Sequence, residues 1–435
     1  MASPLINPLH TLHEQAEATF LPYGRDLQIV ESYGEIEAEY AAIRKGAALM
    51  DAPHRSVAIL TGKDRLAFLH NKVTNDTNRL TAGQGCYAYL LNLKGRIVMD
   101  LNILQTEEAT LVELDRRLTG EFLQIMEKYV FSEDVRLLDG SEQLGRLTVV
   151  GPKAGALLQK VMDAGVETLN EPFRHARRMI GKATVTVFRN DLAGEEQFEL
   201  IVPRDQLVSL WQILHEAGSG HDGDEHDSSG GAGAGAAGNG NGLHLRAIGW
   251  SAYNTARIEA GTPIFGIDIS DAYLPMETGH WYTRAVAVTK GCYIGQEIVA
   301  RMHAHNAVAR LLVGLRPAAG ATGTAAAAVA GAASESESSI PSPGDKLPVA
   351  GTDIFDGGQQ VGIVTSSCVS PMLGHVPVAM GYVKRAYAPQ QTVAAGPAGA
   401  GAQAGAAPKQ VEVLAEGRRV PATVMPLPLW EKKRA

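Results

Sequence analysis

Residues 290–297 read KGCYIGQE and hold one of only three cysteines in a chain of 435 residues. A lysine stands two residues before Cys292, and a glycine stands three residues after it. A free cysteine is often a small buried hydrophobe. The neighbours here argue for a working thiol instead. If the segment is extended, Lys290 shares a face with Cys292, and a nearby ammonium favours the thiolate. Gly291 and Gly295 allow a tight turn or the close approach of backbone to a ligand. Gln296 and Glu297 add hydrogen-bonding capacity. A turn held by polar groups would use similar residues, so the segment alone leaves both readings open.

The rest of the chain limits what such a thiol could do. A nucleophilic hydrolase needs a base within reach. His303 and His305 are near in sequence, but no third orienting group is identifiable. An all-cysteine iron–sulfur site needs four thiolates, whereas Cys86, Cys292 and Cys368 are three, widely spaced and without a C-x-x-C pair. That usage fits reduced thiols in a cytoplasm better than a disulfide framework. His303 and His305 could bind metal from one strand face, but polar strand or loop residues are the preferred reading, and no metal site is expected. The HDGDEHD run at 221–227 reads as solvated charge.

The formal net charge is −8, which argues against general nucleic-acid binding because a phosphate backbone needs a cationic surface. Hydrophobic residues make up 45% and charged residues 20%, values of an ordinary soluble globular protein. No run approaches the roughly 18 to 20 apolar residues that span a bilayer, and the opening residues lack a secretory pattern. A cytoplasmic protein with no membrane partner is expected.

Three stretches of small and polar residues, 217–242, 317–344 and 394–409, cannot bury enough apolar area to offset the entropy of ordering. Helical spacing on both sides of the first, and strand-like runs on both sides of the second, identify them as flexible loop insertions within domains rather than linkers. Residues 35–49 and 63–80 have helical apolar spacing, the second with Asp64 near its start. SVAIL, GRIVMDLNIL, ATLVELD, LGRLTVVG, ATVTVF and QFELIVP are β-rich. Strands and helices do not alternate strictly, so the fold class is α+β. The tail beyond about 310 reads as nearly all β, a small barrel or sandwich.

Taken together, KGCYIGQE and its continuation to Arg301 and His303 resemble the signature of the YgfZ family, folate-binding proteins linked to iron–sulfur cluster assembly. ARIEAGTPIFGIDI, LPME, LHNKVTNDTNRL, YLLNLKGRIVMD, AGEEQFEL and GIVTSSCVSPMLGH resemble the broader superfamily of the glycine-cleavage T-protein. The resemblance implies a three-domain ring. Residues 1–140 and 141–306 would form two mixed α/β domains, the second carrying the signature, and 307–435 a C-terminal β-barrel. It also implies a central pocket for tetrahydrofolate, the cofactor, in polyglutamylated form as one option.

The T-protein is an aminomethyltransferase whose key carboxylate is the first of two acids in N-x-x-G-G-x-x-D-D. The matching stretch here runs from Asn92 to Asp100, with Met99 at the first acid. A thioether neither carries charge nor exchanges a proton at neutral pH. If the stretch is a strand, Asp100 faces away from the pocket unless a bulge shifts it. Aminomethyl transfer is therefore not expected. By the resemblance, Tyr87, Glu199 and Arg257 fall on pocket positions, while Cys292 with Lys290 would be the working pair. Plain core, a strand-edge acid and a helix-surface partner of Glu259 are the alternative readings of the three pocket residues. Lys290, Arg301, Arg310 and Arg316 gather positive charge near the signature, suited to a polyglutamyl tail or an acidic partner. The expected partners are folate and iron–sulfur client or assembly proteins. A weaker link to RNA comes from the family's label as tRNA-modifying, and no RNA-binding module is recognisable. A folate-dependent transferase and a scaffold with a vestigial pocket remain as rival readings.

Overall fold

The computed structural model describes residues 7–219, 242–318, 347–389, 408–415 and 417–431. The HDGDEHD run and most of the three small-residue stretches lie outside these residues. The chain divides into two compact units, each drawn from separated parts of the sequence. Unit 1 comprises Met1–Asn71, Asp76–Ala88 and Leu101–Ala256, and unit 2 comprises Lys72–Asn75, Tyr89–Asp100 and Arg257–Ala435. Each small-residue stretch connects elements of a single unit.

Unit 1 is organised by a six-stranded sheet in the order His175–Ile180, Ala183–Arg189, Gln197–Pro203, Leu144–Val150, Ala47–Asp51 and Leu245–Ala247. Only the last pair is parallel. The strand Ala47–Asp51 is buried along its whole length. Successive side chains on a strand point to opposite faces, and this strand has an apolar layer on each. Ala47 and Leu49 join a core with the helices Ala154–Val161 and Leu207–Ser219. Ala48 and Met50 join another with the helices Ile36–Lys45 and Trp250–Glu259. A five-stranded sheet runs Gln84–Leu91, Ile97–Gln105, Thr110–Asp115, Arg55–Thr61 and Arg136–Asp139.

Unit 2 contains a closed barrel of six antiparallel strands: Arg310–Pro317, Val376–Lys384, Gln359–Ser370, Asp353–Asp356, Gln410–Ala415 and Arg418–Met425. Closure leaves no open sheet edge, which is how a small β-structure avoids pairing with other chains. Cys368 lies in this unit's apolar core beside Val378, Met380 and Tyr382 and packs as a small hydrophobe.

Mixed α/β layers with a C-terminal barrel agree with the fold class expected from the sequence. Three local expectations do not hold. The helix expected over 35–49 ends at Lys45, and the chain turns into a strand at Ala47. A Cβ at Gly46 would lie 2.8 Å from the His244 carbonyl oxygen, so the backbones meet too closely there for any side chain. The helix expected over 63–80 is only Arg65–His70. Beyond it, Thr74 and Thr77 are fully buried and donate their hydroxyls to the carbonyls of Ala285 (2.7 Å) and Leu66 (2.8 Å). Such bonds compete with a helical ladder. His303 and His305 lie on the helix Gln296–His305, not on a strand. Among the described residues no helix is long and apolar enough to cross a membrane.

Candidate functional site

The signature segment belongs to unit 2 and presents its cysteine at the surface. Cys292 is exposed, Cys86 half-buried and Cys368 buried. Lys290 is buried, and its ammonium donates to the carbonyls of Val73 (2.5 Å) and Asn75 (3.0 Å). It also sits 4.9 Å from the centre of the Tyr293 ring. Lys290 thus fixes the 72–75 segment to the signature loop. The loop is further set by two glycines. Gly295 has φ of +79°, and a Cβ on it would lie 2.6 Å from the Asn92 carbonyl oxygen and 3.0 Å from the Cα of Gly95. The Asn92 turn is itself closed by its side-chain oxygen, which accepts from the amides of Lys94 (2.9 Å) and Arg96 (3.1 Å).

Gly291 contrasts with Gly295. It has no left-handed backbone, and a Cβ on it would meet nothing within 4 Å. Gly295→Ala is therefore expected to cost about 1–3 kcal/mol, and Gly291→Ala close to nothing. Denaturant midpoints of the two variants check this, and equal midpoints would contradict it.

On the helix that follows, the Tyr282 hydroxyl lies 3.2 Å from His303 Nδ1, and burial pushes the Tyr282 pKa up to about 12. His305 is exposed, and residues two apart on a helix do not face one another. No group of three or more His, Cys, Asp or Glu side chains among the described residues could hold a metal. The four cations expected to gather do not share one environment: Lys290 is buried, Arg301 and Arg316 are exposed on different elements, and Arg310 is bound to Glu277.

Unit 1 holds a chain of buried charges. Glu113 accepts two bonds from Arg55 (2.7 and 2.6 Å), one from Asn102 (2.6 Å) and a short one from Arg146. Arg146 also reaches Glu199 (2.6 Å), which accepts from Thr148 (2.5 Å) and Gln197 (2.6 Å). Gln197 in turn donates to the Tyr253 hydroxyl at 3.0 Å. Burial alone would raise the Glu113 pKa, but the guanidinium groups of Arg146 and Arg55 outweigh it and hold the carboxyl below its usual range. Glu199 is thus a member of an ion-pair network.

Beside that network stand three half-buried rings that no motif announced. His54 lies 5.5 Å from Tyr23 and 5.8 Å from Trp250, the latter edge-on at 78°. Tyr23 is held by its hydroxyl bond to Asp115 (2.5 Å), with the Arg117 guanidinium 4.3 Å from its ring centre. Burial, reinforced by Arg55 and Arg146, lowers the His54 pKa to about 3, so the ring is neutral at physiological pH. Its Nδ1 is buried and makes no hydrogen bond. An unmet buried polar atom costs about 1–3 kcal/mol and calls for an explanation. With both carboxylates paired and the imidazole neutral, the arrangement suits binding of a flat polar ring better than proton transfer.

The remaining expected site residues are each buried. Tyr87, in unit 1, is buried on the strand Gln84–Leu91. Arg257 belongs to unit 2, is 1% exposed, and forms a short ion pair with Asp268. Met99 is wholly buried on the strand Ile97–Gln105, with Asp100 next to it on the opposite face and also buried.

Residues 9–226, half of the chain, match the GCVT N-terminal domain, and residues 339–431 match the glycine cleavage T-protein C-terminal barrel domain. The chain belongs to the glycine-cleavage T-protein family. Among curated T-protein relatives, an aminomethyltransferase of Symbiobacterium thermophilum is 27% identical over 430 residues, covering 97% of this chain and 96% of that protein. An aminomethyltransferase of Prosthecochloris aestuarii is 30% identical over 292 residues, covering 66% of this chain and 73% of that one. The crystal structure of the glycine cleavage system aminomethyltransferase T from Bartonella henselae superposes with a TM-score of 0.74 at 22% identity, covering 98% of this chain and 97% of that one. This last likeness establishes the T-protein fold.

Proposed function

We propose that the protein binds a reduced folate in unit 1 and acts as an accessory protein for the assembly or repair of iron–sulfur proteins, with Cys292 as its working thiol. The observation that carries the folate reading is the Tyr23–His54–Trp250 group with its unmet, buried Nδ1. A pterin is a flat ring with hydrogen-bonding edges. These residues offer aromatic faces and an unused polar atom, so they fit such a ligand. Tetrahydrofolate would supply a one-carbon carrier, and this chain's residues would hold its ring and exclude water from it. Glu199 would act indirectly, by positioning Arg146. The accessory role is favoured by the resemblance of KGCYIGQE to the YgfZ signature and by Met99 at the position of the T-protein's first acid. Aminomethyl transfer is the second reading, favoured by the names of the curated relatives.

Calorimetric titration of the full chain with tetrahydrofolate, run beside an aminomethyl-transfer assay, separates these readings. Saturable binding is expected, about tenfold weaker in His54→Phe for one lost hydrogen bond, unchanged in Cys292→Ser, and without turnover. Because His54 remains neutral down to about pH 3, affinity is expected to stay level between about pH 5 and 8, where an ordinary histidine titrates. Turnover that falls in Asp100→Asn would install the second reading. Absence of binding by folded wild type would remove folate altogether.

A further inference from the structure

We propose that Arg96 and Arg310 of unit 2 form a binding site for a small oxyanion, carboxylate or phosphate. Arg96 Nη1 donates to the carbonyl oxygen of Ala272 at 2.6 Å, and Arg310 donates to the same oxygen. Two donors on one acceptor lie no more than about 6 Å apart. Both guanidinium groups also approach one carboxylate, Glu277, at 3.9 Å from Arg96 and 3.1 Å from Arg310. Glu277 is 2% exposed and accepts a bond from the Leu274 amide as well. One buried carboxylate thus faces two cations.

A third cation, Lys384, lies nearby in the sheet but is turned away. Arg310 and Lys384 are directly opposed across antiparallel barrel strands. Such residues share a face with Cβ atoms about 4.5–5.5 Å apart, and like charges there repel. Lys384 is exposed, and its ammonium donates to the Gln360 carbonyl at 2.9 Å, on the strand that flanks Val376–Lys384 on the side away from Arg310. Asp271, which precedes Ala272 in the chain, is exposed.

The arginines remain reachable. Their side chains are 37% and 35% exposed, against 1% for Arg257. A guanidinium has five N–H donors, so each keeps some for a solute. Arg310 is held in place by packing: its guanidinium lies 4.6 Å from the Tyr273 ring centre, and Tyr273 is stacked on Tyr382 at 3.7 Å. Paired, half-exposed guanidinium groups are what bidentate recognition of carboxylate or phosphate uses.

The site does not depend on the Tyr23–His54–Trp250 group and is tested without a pterin. Inorganic phosphate and γ-linked triglutamate are titrated separately into the full chain at low ionic strength. At least one is expected to bind saturably, more weakly as salt rises, with affinity reduced about tenfold in Arg96→Gln, which removes a charge-assisted bond, and unchanged in Lys384→Gln. Arg316→Gln, exposed on the same strand as Arg310, should bind as wild type, and all three variants should melt as wild type. Binding of triglutamate alone identifies a polycarboxylate ligand, and binding of phosphate alone a phosphate ligand. Failure of both probes on folded wild type overturns the proposal. So does binding that survives in Arg96→Gln.

Discussion

Arg257→Ala should destabilise unit 2 by about 3–5 kcal/mol, the usual cost of leaving one member of a buried ion pair uncompensated. The pair is closed on every side. Arg257 bonds Asp268, the Thr262 carbonyl (3.2 Å) and the Ser366 hydroxyl (2.7 Å). Asp268 accepts further bonds from Thr365 (2.5 Å), Ser366 (2.6 Å) and the Ile264 amide (3.1 Å). Removal of the guanidinium strands a carboxylate that is 0% exposed. Urea unfolding of the full chain measures the loss, and a shift worth less than about 1 kcal/mol would show that the pair behaves like a surface bridge. Arg257→Met/Asp268→Asn should lose less than Arg257→Ala, because no bare charge remains. The same argument makes Arg257→Ala a poor probe of ligand binding, since weaker binding would follow from a loosened unit.

Arg146→Met is expected to cost a similar amount, again about 3–5 kcal/mol, but in unit 1 and with a distinctive acid limb. Arg146 serves two carboxylates at once, and Glu113 keeps Arg55 when it is lost, whereas Glu199 keeps only neutral donors. The folded pKa of Glu113 lies below its ordinary value of 4.5. Its contribution is therefore complete above that value and disappears only as the pH falls through the lower folded one. Loss of Arg146 removes the largest attraction that depresses it, so the acid transition should move to higher pH. Intrinsic tryptophan fluorescence, to which Trp211 and Trp250 of unit 1 contribute, followed through an acid titration of both proteins, reads this out. Coincident acid limbs would mean that the network does not hold Glu113 ionised.

Strands were the most legible part of the sequence because their alternation is local. QFELIVP is the strand Gln197–Pro203, and the β-rich tail is the closed barrel. Helix lengths were less legible, since apolar spacing continues past the point where Gly46, or the buried Thr74 and Thr77, divert the chain. The prominence of Cys292 was readable from its neighbours. The Tyr23–His54–Trp250 group was not, because its three members are scattered singly along the chain and only the fold assembles them. Nor could sequence show that Glu199 and Arg257 are engaged by internal partners, since ion pairing depends on tertiary position. The lone signal for His54 was a histidine followed by an arginine at the start of a β-rich run, a pattern too common to select.

The discontinuous composition of the units bears on how the chain reaches its native state. Unit 1 ends at Ala256, so a growing polypeptide could assemble it while the remainder is still being synthesised. Unit 2 has no such option. Residues 72–75 and 89–100 leave the ribosome early yet wait for partners more than 200 positions later, as the bond from Lys290 to Val73 across 217 residues shows. Contacts of that sequence separation form slowly. Until they do, the early segments, including the apolar strand end at Met99, are exposed to misassociation, and that interval is where a chaperone would matter most.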